Sequence, residues 1–208
     1  MVKKNAVSRV PGDPEQGGTF ARAILDFLSR IPTSKESRST DPAKRLREIA
    51  SKAARSAAAT AGTLALPVGP LGWLTILPEL VAVWRIQAQM VADIAGCYGK
   101  TKFLSREQML YCLFKHGGAQ AVRDLVVRAG ERMLIKKASL RVLQRVARRV
   151  GIRVSQRSIG KGISRFLPVI GAVGVGAYAY FDTAQVAKTA KEFFEQDLVL
   201  EPEARESE

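Results

Sequence analysis

The sequence predicts an all-α fold: a helical bundle with two apolar Gly/Ala-rich helices and one basic amphipathic helix. Three observations predict it. Apolar residues recur at helical spacing through several long segments. No alternating apolar–polar run of useful length marks a strand. Alanine and glycine are plentiful while aromatics are only 7% of the 208 residues, a composition that lets helices approach closely. Apolar residues reach 47%, enough for a sizeable core, and no internal repeat is visible.

Residues 1–42 read as a flexible tail, because "RVPGDPEQGG" and "IPTSKESRSTDP" are rich in Pro, Gly, Ser and charge. Between them "TFARAILDFLSR" sets Phe20, Ile24, Phe27 and Leu28 at helical spacing, a short amphipathic helix expected to dock on the body. A helical domain is expected over 43–195. It opens at Asp41-Pro42, a capping residue followed by a proline suited to the first helical position. The helix "AKRLREIASKAARSAAATAGTLAL" begins basic and ends in small residues, with Ala54, Ala58 and Gly62 on one face. "PVGPLG" breaks it. The next helix, within "WLTILPELVAVWRIQAQMVADIAGCYG", stops near Gly99, and Pro78 marks either a kink or its true start. Ser56 to Pro78 carries no charge. Ser105 with Gln108 fits a capping box before "MLYCLFKH". From Ala119 to Val150 the sequence reads as one long helix or two with a bend at Gly130, and Gly151 ends it. "FLPVIGAVGVGAYAYFDTAQVAKTAKEFF" is the last helix, and 196–208 is an acidic, disordered tail.

A ladder of cations with a step of four runs from Lys137 to Arg165. Each step advances about 400°, so the rungs drift and cannot share one face. Within Ile135–Val150 a helical wheel puts Val142, Leu143, Val146, Ala147 and Val150 on one side. Lys137, Arg141, Arg145, Arg148 and Arg149 fall on the other. These five are the candidate residues for binding an anionic surface. Net charge is +14 for the whole chain, and most of the excess lies between Lys102 and Arg165.

Such a charge calls for an acidic partner. Nucleic acid would offer phosphates, but no aromatic residue lies between Lys115 and Arg165 and no zinc-finger or RRM pattern is present. An anionic membrane surface fits better, because the basic block lies between two uncharged apolar segments, Ser56–Pro78 and Leu167–Phe181. The second is short for a span, and the first holds three prolines and three glycines, so a buried or half-inserted hairpin is preferred to two crossings.

Other candidates are weaker. "GAVGVG" at Gly171, Gly174 and Gly176 lacks the dinucleotide order and a preceding strand, so helix packing is the better reading. Arg85, Gln89 and Asp93 share a face, as do Tyr178, Asp182, Gln185 and Thr189. Charges in such apolar company need partners, so an Arg85–Asp182 or an Asp93–Lys188 buried pair is expected between the two helices. The alternative is an exposed face on each helix. Cys97 and Cys112 show no metal spacing and read as reduced thiols, and Lys3 and Lys4 precede no apolar run, so no secretory leader is expected. His116 is the only histidine and reads as a packed core residue beside Met109, Cys112 and Leu113. No catalytic, cofactor or metal constellation emerges, and an enzyme is not expected.

The order of features resembles the EcsC family of bacteria over about residues 45–195. The resemblance rests on the Ala/Gly-rich segment, the Pro-led helix ending "DIAGCYGK" (Asp93, Ile94, Ala95, Tyr98, Gly99), and "LPVIGAVGVGAYAYFDTAQVAKTA". It implies an all-helical, membrane-associated cytoplasmic protein, with a name drawn from an operon for an exporter-type ABC transporter and a link to protein secretion. It brings no catalytic residues. The basic middle and acidic tail fall outside the pattern. The resulting expectation is a non-enzymatic protein, peripheral to or partly inserted in the inner membrane, that serves transport or secretion and has a membrane protein or transporter as a second partner. A basic nucleic-acid-binding module is the alternative.

Overall fold

The computed structural model describes residues 22–27, 29–64, 76–116, 126–129, 132–135, 141–142, 144–150, 152, 168–196 and 198–200. The architecture is all-α, accompanied by three short strands. Helix α1 covers 22–27, α2 is Pro42–Leu64, α3 is Ile76–Cys97 and α4 is Arg106–Phe114. Helix α5 comprises the helical residues 141–142 and 144–150, and α6 is Pro168–Glu195.

Local chemistry sets the helix ends. The Lys44 N–H donates to Asp41 Oδ1 at 2.9 Å, and Pro42 fills the position whose N–H would be unpaired anyway. Ser105 and Gln108 form a reciprocal capping box ahead of α4, with bonds of 3.3 and 2.9 Å. Helix α3 is closed off just past Cys97 by Gly99, where φ is +69°; the Gly99 N–H donates to the Gly96 carbonyl and the Lys100 N–H to the Ala95 carbonyl. Only a residue without Cβ adopts that φ at little cost.

Helix α2 packs against α6 and α3, and α4 lies against the same two. Gln87 faces Asp182 and Thr183, and Tyr98 faces Glu195, so α3 and α6 run in the same direction. The main core joins Leu46 of α2, Trp84 and Ile94 of α3, Leu110 and Phe114 of α4, Val146 and Val150 of α5, and Phe193 and Phe194 of α6. A smaller cluster of Ala57, Ala61, Val83 and Ala179 continues it. There the small-residue face of α2 meets Gly176: a Cβ added at Gly176 would lie 3.0 Å from the Ala58 carbonyl oxygen and 3.9 Å from Gly62 Cα.

Three expectations need correction. The short helix docks on the body as expected, but the chain after it, 29–41, is a bonded strap rather than part of a flexible tail. Ile24 is buried in the main core, and Phe27 lies 6.2 Å from Trp84 between ring centroids. The strap that follows bonds to α3: the Ser39 N–H donates to the Cys97 carbonyl, the Lys35 N–H to Asp93 Oδ1, and Gln89 Nε2 to the Thr33 carbonyl. Second, the segment expected as one long helix, or two bent at Gly130, contains strands β1 (Val126–Ala129) and β2 (Arg132–Ile135), paired antiparallel with Val126 opposite Ile135. A short apolar run does not reveal its period, and only two residues separate the strands, one of them Gly130. Ile135 therefore ends a strand rather than opening the basic helix. Third, β3 (Leu198–Leu200) pairs parallel to β2, so strand structure reaches into the stretch expected as a disordered tail.

Candidate functional site: a cationic face and an apolar face

Helix α5 carries the cationic face. Val146, Ala147 and Val150 are buried in the main core, while Arg141, Arg145, Arg148 and Arg149 are all exposed. The separation follows from the helical period. None of the four arginines forms an ion pair among the described residues. Lys137, the fifth candidate, lies outside the described residues. Because the core takes the apolar face of α5, that face is not free to enter a lipid interface, as an isolated amphipathic helix would.

Helix α6 presents a different outer surface. With Val173 at zero and about 100° per residue, the exposed residues from Val173 to Lys188 occupy an arc of about 160°. Gly176, Ala179, Thr183, Val186, Ala187, Ala190, Phe193 and Phe194 fall on the remaining side and are buried. The outer arc changes along the axis. It holds Val173, Gly174, Ala177, Tyr178, Tyr180, Phe181 and Ala184 first, then Gln185 and Lys188. Val173 and Phe181 each expose 67% of their surface. Leu64, at the end of α2, is exposed as well. Among the described residues no helix is long and apolar enough to cross a membrane.

The expected buried pairs do not form among the described residues. Asp182 turns inward, accepting from Gln87 Nε2 at 2.8 Å and lying 2.8 Å from His116 Nε2. Gln87 also reaches Thr183 Oγ1 at 3.2 Å. Asp93 holds the strap and accepts from Gln89 Nε2 at 2.9 Å. Arg85 and Lys188 are exposed. The physical reason is angular: Gln87, not Arg85, shares the inner stripe of Trp84, Val91 and Ile94, and so faces α6. That spacing is legible, but a search for opposite charges passes over a neutral amide. His116 is likewise part of a polar network rather than a simply packed ring.

Lys115 and Lys100 also take roles that no local sequence pattern announces. Lys115 bridges to Glu192 at 3.1 Å and sits over the Tyr111 ring; burial opposes its charge, but Tyr111 and Glu192 outweigh that and raise its pKa. Lys100 Nζ donates to the Phe194 and Gln196 carbonyls, covering the C-terminal end of α6. Burial and Glu195 push the Tyr98 hydroxyl up to about 12.

Cys112 of α4 and His116, just past the end of that helix, stand four apart, and Asp182 touches the histidine. A thiol nucleophile would need to ionise readily, yet Cys112 is fully buried and its burial pushes the thiol pKa far up. Cys97 is buried and shifted the same way. A groove of about 720 Å³ between the strap, α2 and α3 has its charges largely matched. Arg45 bonds Glu36 at 2.7 and 2.9 Å and Glu48 at 2.7 Å, and this holds the Glu36 carboxyl below its ordinary pKa.

A basic helical bundle with a cationic helix face and an apolar helix face is therefore the class of protein these features define. The model of the EcsC protein family matches residues 22–196, so the chain belongs to that family. The matched range begins with α1 and the strap and ends at the close of α6, in keeping with the strap's place in the body. No curated protein and no solved structure matches the chain.

Proposed function

We propose that the chain is a non-enzymatic, membrane-associated protein that acts at the cytoplasmic face of the membrane as an accessory to transport or protein secretion. The observation that carries this reading is the outer face of α5, where four exposed arginines, with no ion pair among the described residues, stand on a helix whose inner face is anchored in the core. Guanidinium groups match the oxygens of lipid phosphates. At about 1 kcal/mol per cation near an anionic leaflet, four of them supply about 4 kcal/mol, nearly a thousandfold in partitioning. That attraction is screened by salt over about a Debye length, roughly 8 Å at physiological ionic strength. The role in transport or secretion is supported by the setting from which the family takes its name.

Vesicle flotation tests the reading. Recovery should be high with phosphatidylglycerol vesicles, low with phosphatidylcholine vesicles, and should fall as salt rises. Equal recovery with both, or none with either, would overturn it. Nucleic acid would meet the same arginines, so a tighter, salt-dependent shift of mixed-sequence DNA would favour that alternative.

A further inference from the structure

An electrostatic patch alone holds a protein to a membrane weakly and reversibly, and stable attachment takes a second, apolar contribution. The core has taken the apolar face of α5, so that contribution must come from elsewhere. We infer that the outer face of α6 from Val173 to Phe181 is the lipid-contacting face, lying in the plane of an anionic membrane interface. The inference rests on the membrane reading above and deepens it.

Four observations carry it. Exposed Val173, Tyr178, Tyr180 and Phe181 all fall within the outer arc of α6, and the Tyr180 and Phe181 rings meet edge to face at 5.8 Å, an apolar and aromatic exposure that a water-facing helix side would not need. No charge lies between Pro168 and Phe181, and the first one, Asp182, turns inward to His116. The aromatics cluster where the outer face turns polar, at Gln185 and then Lys188, as they do at the headgroup level of membranes. Finally, the fourteen uncharged residues span about 21 Å, short of the roughly 30 Å hydrocarbon thickness. Exposed Lys188 beyond the stretch suits anionic headgroups at its polar end, and the apolar face before it enters one leaflet. That charge complementarity selects lipid over a second copy of the chain.

The test uses the full chain with Val173→Cys or Phe181→Cys carrying an environment-sensitive fluorophore, and Glu48→Cys on the exposed start of α2 as the control. Wild-type protein sets the labelling background, since Cys97 and Cys112 are buried. Vesicles of phosphatidylcholine and phosphatidylglycerol containing brominated lipid should quench the probes at 173 and 181 and leave the one at 48 unchanged. Phe181→Asp, checked for native circular dichroism, should lower partitioning about tenfold, and Phe181→Leu should retain it. Salt-dependent vesicle binding without quenching at 173 and 181 would overturn the anchor and leave the arginine reading standing. Absence of any vesicle binding would end both. Unquenched probes together with a dimer that Phe181→Asp dissociates would assign the face to a second copy instead.

Discussion

Helix α5 turns Val146, Ala147 and Val150 into the same core that receives Val186, Phe193 and Phe194 of α6, yet the two helices offer solvent opposite chemistry. On α5 the outward residues are four arginines and Gln144; on the first half of α6 they are valine, glycine, alanine, tyrosine and phenylalanine. The inner faces are fixed by packing, where volume matters. The outer faces are free of that constraint, and the membrane proposal reads their composition as a match to the surroundings. An apolar outer face in water costs solubility, and a dense cationic face costs self-repulsion. Each is an expense that an acidic, partly apolar environment removes, and a bilayer interface is both.

The largest effect expected from testing this contrast lies inside. Phe193→Ala removes a fully buried ring and should lower stability by about 3–5 kcal/mol in urea denaturation. A much smaller loss would mean that the inner face of α6 is not packed as described. Glycines on the two faces of α6 give the next comparison. Gly176→Ala puts a methyl 3.0 Å from a backbone oxygen of α2 and should cost about 1–3 kcal/mol. Gly174→Ala meets nothing within 4 Å, so helix propensity alone should act, raising stability by about 0.5–1 kcal/mol. Opposite signs at positions two apart would mark the border between the faces, and equal signs would erase it. Least affected should be the outer face of α5. Replacing Arg148 and Arg149 together with Gln should leave the thermal midpoint nearly unchanged, within about 0.5 kcal/mol, while reducing recovery on phosphatidylglycerol vesicles. A large fall in stability would show that these arginines serve the fold.

Much of the bundle was legible. Asp41-Pro42, the Ser105–Gln108 box and Gly99 announced helix ends because capping is local chemistry, decided within a few residues. The inner and outer faces of α5 were legible because apolar and cationic residues alternate with the helical period. Helix α6 gave no such signal before Asp182: Val, Gly and Ala occur on every side, so periodicity could not say which side the core would take. The strap was missed for another reason. Its Pro, Ser and charged residues have the composition of a tail, and what holds it is Asp93 and Gln89, far away along the chain.

Sequence by itself determined the all-α class, the main helix ends, the basic excess and the family resemblance, since composition, capping and period act over short range. Tertiary structure alone decided that Asp182 meets His116 and Gln87 rather than Arg85, that Asp93 clamps the strap, and that the aromatics before Asp182 remain outside. Those outcomes depend on the rotation of each helix about its axis, which is set by the summed packing of all its neighbours and by no single stretch of chain.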